Sequence, residues 1–398
     1  MTRRIRKKEK TYKKSVLLMS PSKYPGSLGD EAMLIGACEW LQNKECTVGV
    51  LTDYDAEIPD YFQCFDETVR LRGAYRKGLS SSRRFIDIAR SWDALGVFGA
   101  DVIDGTYSEE RALGMLMRIY EAQRAGMPSQ LLGSSVKDRN ISPLIKDMVG
   151  AIGEERLAFR DKGSRDRFAE ATGLQCDVVA DAAFLLRPRS TSNSEVKISR
   201  IKKHKENGRA VWGLNTNWRL FDEYVSRREY IKNLSGLAKA FEKRIGPSHL
   251  VLMPHDTRGG DRSDFSVSED LYKRLREVGV SSTLIEKNIR SYEIKKICKE
   301  VDFVLSMRMH LAIAAMSVSC PVASISYQEK FDGLYDHFNI DGAVLKKKHI
   351  EDKNVISEFT LKKYKNRSKI KDKISENKNV VNKKAKKNFD FIFDEDYR

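Results

Sequence analysis

A chain of 398 residues, 41% hydrophobic and 9% aromatic, carries enough apolar side chain for two ordinary domains with separate cores, which excludes a disordered polypeptide. Its 72 Lys and Arg outweigh 56 Asp and Glu for a formal charge of +16, a balance that favours nucleic acid, acidic lipid head groups or phosphorylated metabolites as partners. Cys38, Cys46, Cys64, Cys176, Cys298 and Cys320 are scattered without a CxxC pair, which argues against a zinc cluster or disulfide framework and for free thiols in a reducing cytoplasm.

Residues 1–14 read as a basic arm, and the apolar run at 15–19 is too short for the core of a signal peptide. With no run of roughly 18 apolar residues to form a transmembrane helix, a cytoplasmic chain is expected. From residue 15 onward short apolar strands alternate with amphipathic helices, the mark of βα units and a parallel sheet. A strand at 15–19 leads through the loop 21–29 to a helix at 31–42, with Asp30 at its N-cap. Further strands are predicted at 47–51, 94–98, 129–132, 156–159 and 177–180, with helices at 109–125 and 164–172. The polar, lysine-rich stretch 189–208 reads as a linker. A second series then runs through strands at 210–214, 249–253, 281–285, 301–306 and 322–325. Its helices fall near 230–244, 269–278, 291–299 and 311–318. The spacing predicts an α/β protein with Rossmann-like domains at 15–188 and 209–345 facing a cleft, where ligands bind beyond the carboxyl ends of the strands. The Lys-rich extension 346–398 reads as solvated surface helices or a partly disordered tail.

Arg308, Met309 and His310 fall in the turn from the strand at 301–306 to the next helix. Such a turn offers free backbone N–H groups and a positive helix end, which attract anions. Arg308 adds a planar donor fork, and His310 adds the side-chain type whose proton moves near neutral pH. Lys330 follows the next strand, so Arg, His and Lys surround one place suited to a trianion. A lone Arg or His at a strand end is more often a surface or capping residue, and it is the three together that point to function. Weaker candidates are Gly29 with Asp30, which either touch an acceptor or serve only as turn and N-cap. Asn215, Asn217 and Trp218 follow the first strand of the second domain. His255 lies in the Gly-rich stretch 253–260, near Asp261 and Asp264, which read as loop-shaping residues.

An ordered set of segments resembles the polysaccharide pyruvyl transferase family over residues 15–340. They are Leu28-Gly29-Asp30-Glu31-Ala32, Phe98-Gly99-Ala100-Asp101 with Asp104, Phe159-Arg160-Asp161 with Ser164, Asp181-Ala182-Ala183-Phe184, Ser306-Met307-Arg308-Met309-His310, and Tyr327 with Lys330. Two departures stand out: Ala100 and Asp101 occupy positions of a glycine run, and Ala182 replaces a common proline. The resemblance implies a glycosyltransferase-B-like fold. It also implies transfer of pyruvate from phosphoenolpyruvate onto two hydroxyls of a sugar, giving a ketal and inorganic phosphate. Arg160, Arg308 and Lys330 would clamp the donor, and His310 would deliver a proton or hold the leaving phosphate. Asp104 would be a base or acceptor ligand, or otherwise a helix cap. Asn215, His255, Gly29 and Asp30 would line the substrate sites. No metal or other cofactor is expected, since there is no HExxH and the six histidines are dispersed.

Two other readings compete. A nucleotide-sugar glycosyltransferase would share the fold. A basic nucleic-acid-binding protein would explain the charge, but the basic residues are spread out and the tail lacks interleaved aromatics, so no specific nucleic-acid partner is expected. A lipid-linked oligosaccharide acceptor would instead give the charge a use, in peripheral contact with an anionic membrane.

Overall fold

The computed structural model describes residues 14–394 apart from 23–24, 54, 77, 138, 223–224, 327–329, 347–348 and 350. Most of the expected basic arm, Tyr327 of the family-like segment and part of the lysine run at 346–348 lie outside the described residues. The chain forms two compact units. The first comprises Met1–Pro25, Asp30–Leu186 and Val381–Arg398, and the second Gly26–Gly29 and Arg187–Val380.

The first unit is built on β1 (Lys14–Met19), β2 (Cys46–Asp53), β3 (Glu67–Leu71), β4 (Ala94–Phe98), β5 (Ser129–Ser134), β6 (Leu157–Phe159) and β7 (Asp177–Val178). Helices α1 (Leu28–Gln42), α2 (Leu79–Ala89), α3 (Glu109–Arg124), α4 (Pro143–Ile152) and α5 (Lys162–Thr172) connect them. The strand order is β3-β2-β1-β4-β5-β6-β7, with every pairing parallel. Direction of travel along the sheet therefore reverses between β1 and β4, the doubly wound pattern. β4 and β5 are buried along their whole length, as strands covered by helices on both faces must be. Side-chain caps from Ser108, Ser142 and Asp161 start α3, α4 and α5.

The second unit repeats the plan with α6 (Ser192–Glu206), β8 (Ala210–Leu214), α7 (Arg219–Asp222), α8 (Arg227–Ile245), β9 (Ser248–Leu252), α9 (Asp264–Glu277) and β10 (Ser282–Leu284). It continues with α10 (Ser291–Cys298), β11 (Phe303–Ser306), α11 (Met309–Ser317), β12 (Val322–Ser326), α12 (Lys330–Asp336), β13 (Val344–Lys346) and α13 (Lys353–Lys365). Its parallel order, β10-β9-β8-β11-β12-β13, places the reversal between β8 and β11. Two Rossmann-like sheets, one per unit, make this an α/β protein of the glycosyltransferase-B-like class.

One stretch differs from its sequence expectation. The supposed linker 189–208 holds α6, opened by a Thr191–Ser194 capping box and anchored by fully buried Ile198 and Ile201. Its exposed lysines, Lys202, Lys203 and Lys205, conceal an apolar stripe of two residues. The Lys-rich extension takes the helical one of its two expected forms, as α13, α14 (Arg367–Lys386) and α15 (Asp390–Phe393). Ile356, Leu361 and Tyr364 enter the second core, while Phe389 stacks on Trp40 of the first unit at 5.2 Å. Among the described residues no helix is long and apolar enough to cross a membrane.

His249, near the amino end of β9, stands between the hydroxyls of Ser281 (2.8 Å) and Thr283 (2.9 Å) and stacks on His204 at 3.7 Å. Burial, reinforced by His204 and Arg209, pushes its imidazole down from 6.5 to about 4. Between these values the unfolded chain binds more protons than the folded one, so stability must rise with pH. Urea midpoints are expected to fall as pH drops from 6.5 towards 4, and a His249→Gln variant should flatten that slope.

Candidate functional site

The topological switch of the second unit brings together the carboxyl ends of β8, β9 and β11. Asn215, the first residue beyond β8, is fully buried, and its Oδ1 accepts the N–H of Met307 (2.6 Å) and the hydroxyl of Ser306 (3.4 Å). Asn217 Nδ2 donates to the Met307 carbonyl at 3.0 Å. Two asparagines thus hold the N–H and the carbonyl of Met307, the residue just ahead of Arg308. Arg308 then takes extended backbone angles as the N-cap of α11, and His310 falls in that helix's first turn.

Arg308 meets Asp264, the first residue of α9, through two parallel bonds: Nε to Oδ2 at 2.9 Å and Nη2 to Oδ1 at 2.6 Å. Asp256 Oδ2 stands 3.6 Å from the same guanidinium and also pairs with Arg258 at 2.6 Å. Asp264 is completely buried. Burial raises its carboxyl above the ordinary value, and the charge of Arg308 only partly offsets this. For Asp256 burial pulls the same way, but the Arg258 hydrogen bonds and the charge of Arg308 outweigh it and hold the carboxyl below the usual range.

The segment 26–29 runs beside the β9–α9 loop. Thr257 N donates to the Gly26 carbonyl (2.8 Å) and Leu28 N to that of His255 (3.1 Å). This brings Gly29 against His310: a Cβ at residue 29 would lie 2.1 Å from the imidazole Nδ1. Only glycine leaves room for the ring. His255 is 6% exposed, and neither of its ring nitrogens has a hydrogen-bond partner among the described residues. Burial, then the charges of His310 and Arg308, push its imidazole down to about 3, so it is neutral at physiological pH. Lys330 is the first residue of α12, on the same end of the sheet, since β12 pairs with β11.

In the first unit, the loop after β4 contains the remaining candidates. Ala100 has φ of +46°, a conformation disfavoured for any residue but glycine, which gives a physical reason for glycine at that position in the resembled motif. The carboxylate of Asp104 accepts backbone N–H groups from Thr106 (3.0 Å) and Lys137 (2.7 Å), so it ties the β4 loop to the β5 loop. Arg160 is 4% exposed, pairs with Asp181 at 2.8 Å and donates from Nε to Ser135 Oγ at 2.5 Å. Both therefore act first as braces of their own loops. Asp30, expected as an N-cap, is instead the third residue of α1, in its first turn, where a carboxylate still favours the helix end.

The second unit thus gathers Arg308, His310, His255, Asn215 and Gly29, while Asp104, Arg160 and Asp30 belong to the first. Sequence reasoning missed the carboxylate partner of Arg308. Asp264 lies 44 positions away, and no spacing rule links a helix start on one strand end to an arginine on another.

A family model described as polysaccharide pyruvyl transferase matches residues 28–329. No curated protein sequence matches the chain. Among solved structures, it resembles the Anabaena protein HepE in complex with UDP-glucose, at 12% identity and TM-score 0.56, covering 95% of this chain and 99% of that one. It also resembles the Neisseria meningitidis UDP-GlcNAc 2-epimerase bound to UDP-GlcNAc, at 11% identity, TM-score 0.56 and the same coverage. A putative UDP-N-acetylglucosamine 2-epimerase from Listeria monocytogenes matches at 11% identity, TM-score 0.56 and 93% of both chains. These likenesses concern the fold alone.

Replacing Arg308 by Ala would leave Asp264 as a buried carboxylate without its counter-ion. A loss of about 3–5 kcal/mol is expected in denaturant unfolding at neutral pH. Because burial raises the carboxyl in the folded state, the variant should lose stability as pH rises above the ordinary carboxylate range and recover part of it as pH falls back towards that range.

Proposed function

The chain belongs to the polysaccharide pyruvyl transferase family, and from that premise we propose that it transfers a pyruvyl group from phosphoenolpyruvate to a sugar of a polysaccharide or its lipid-linked precursor. The observation that carries this reading is Arg308 and His310 on the β11–α11 turn, at the switch point of the second sheet and inside the matched region. A donor with a phosphate and a carboxylate suits a helix N-terminus flanked by an arginine fork and a lysine. Arg308 and Lys330 hold the two anionic groups. His310 delivers the proton that the methylene carbon gains while one sugar hydroxyl adds to the central carbon. Phosphate then departs with the bonding electrons of its C–O bond and takes up the proton of the first hydroxyl, and the second hydroxyl closes the ketal by returning a proton to His310. Proton delivery by a positioned imidazole is worth about 10²–10⁴ in rate.

In the first unit, Asp104 and Arg160 keep the loops of the acceptor side in shape, with Asp30 as the carboxylate nearest the start of α1. The basic surface suits an acceptor presented at an anionic leaflet, in the cytoplasm.

Phosphate release from phosphoenolpyruvate, screened against galactosyl, mannosyl and N-acetylmannosaminyl acceptors, tests the reading. Release that depends on acceptor supports it, whereas turnover of a UDP-sugar without any use of phosphoenolpyruvate would sink it. In the same assay Gly29→Ala should cost about a hundredfold, because the new methyl displaces the His310 ring from a site sensitive to shifts of about 1 Å. An intact circular dichroism spectrum and melting profile would confirm that the loss is local.

A further inference from the structure

We propose that Asp264 is a positioning residue for the anion site, its buried carboxylate fixing the direction in which the guanidinium of Arg308 meets the donor. The ligand rests on the pyruvyl-transfer reading; the orientation does not.

Two facts make the pair hard to explain as ordinary stabilisation. An ion pair with one member fully buried is costly to desolvate, and apolar residues of similar size commonly do as well or better. A carboxylate beside an anion site also repels the ligand that the site must bind. A function in aiming Arg308 accounts for both. Two parallel hydrogen bonds define the plane of the guanidinium as well as its place, which a single contact would not do.

Asp264 is itself held from three directions. Its Oδ2 accepts the N–H of Asp256 at 3.0 Å. Its carbonyl accepts the hydroxyl of Thr216 at 2.9 Å, and Thr216 is bonded in turn to Ser268 at 2.9 Å. Ser263 caps the helix that Asp264 opens. The carboxylate is therefore referenced to the ends of β8 and β9, and it carries that reference to an arginine at the end of β11. Asp256, locked by Arg258, stands 3.6 Å from the same Nη2 that bonds Asp264 and limits its movement further.

The proposal predicts the opposite of simple electrostatics. Asp264→Asn removes a negative charge, so Coulomb attraction alone would tighten the binding of a trianion. Misaiming predicts weaker binding instead: calorimetry should show the dissociation constant for phosphoenolpyruvate rising by about ten- to a hundredfold, the range of a lost charge-assisted hydrogen bond. Asp264→Glu keeps the charge but lengthens the arm by one methylene, and should lose at least about tenfold as well. In the background of Arg308→Ala, Asp264→Asn should add no further loss. Unchanged or tighter binding in Asp264→Asn, wild-type affinity in Asp264→Glu, or a full additive loss in the double variant would each overturn the proposal. A ligand-free readout separates this from the pyruvyl reading. The Arg308 Nε–H signal in nitrogen-15 NMR should be protected from exchange in the wild type and lose that protection in Asp264→Asn. Failure of the wild type to bind phosphoenolpyruvate would remove the function but leave this readout to decide the role of Asp264, and persistent protection in the variant would refute it.

Discussion

The paired hydrogen bonds between Arg308 and Asp264 are the constraint around which the second unit's site is arranged. An arginine on a strand-to-helix turn has four side-chain torsions to fix before it can recognise one anion. A buried carboxylate fixes them in advance, and the asparagines at 215 and 217 fix the backbone beneath. The remaining features follow from this rigidity. His310 is two residues beyond Arg308, so its ring is placed by the same helix start. Gly29 then has to be glycine, because the imidazole occupies the space a side chain would need.

Burial acts alike on two histidines at the two ends of β9. His255 and His249 are kept neutral by desolvation, and their neighbours' positive charge adds to the effect. The two have different surroundings. His249 is satisfied by two hydroxyls at the amino end of β9, as a structural residue should be. His255 follows the opposite end of that strand, near His310 and Arg308, with ring nitrogens that no described residue engages.

Much of this was legible in the sequence because parallel sheets write themselves plainly. Strands covered on both faces read as continuous apolar runs, which located β1, β4, β5, β8, β9, β11 and β12. The turn at 308–310 could be found because a strand ending at 306 must hand over to a helix there. Other parts were concealed for physical reasons. β3 is an edge strand with only alternate residues buried, so its Glu-Thr-Val-Arg-Leu gives little apolar signal. Lysines on the solvated faces of α6, α13 and α14 dilute narrow apolar stripes that nevertheless anchor these helices. The Arg308–Asp264 pairing is a tertiary contact between two loops, and only the folded topology brings them together.

The central claim is that this turn of the second unit is the site for a donor carrying both phosphate and carboxylate. Calorimetric titration of the wild type and Arg308→Ala with phosphoenolpyruvate, each repeated with UDP-glucose, tests it most directly. The account predicts saturable binding of phosphoenolpyruvate that falls at least about tenfold in the variant, and no comparable affinity for the nucleotide sugar. Binding of UDP-glucose in preference to phosphoenolpyruvate, or phosphoenolpyruvate binding indifferent to Arg308, would contradict it.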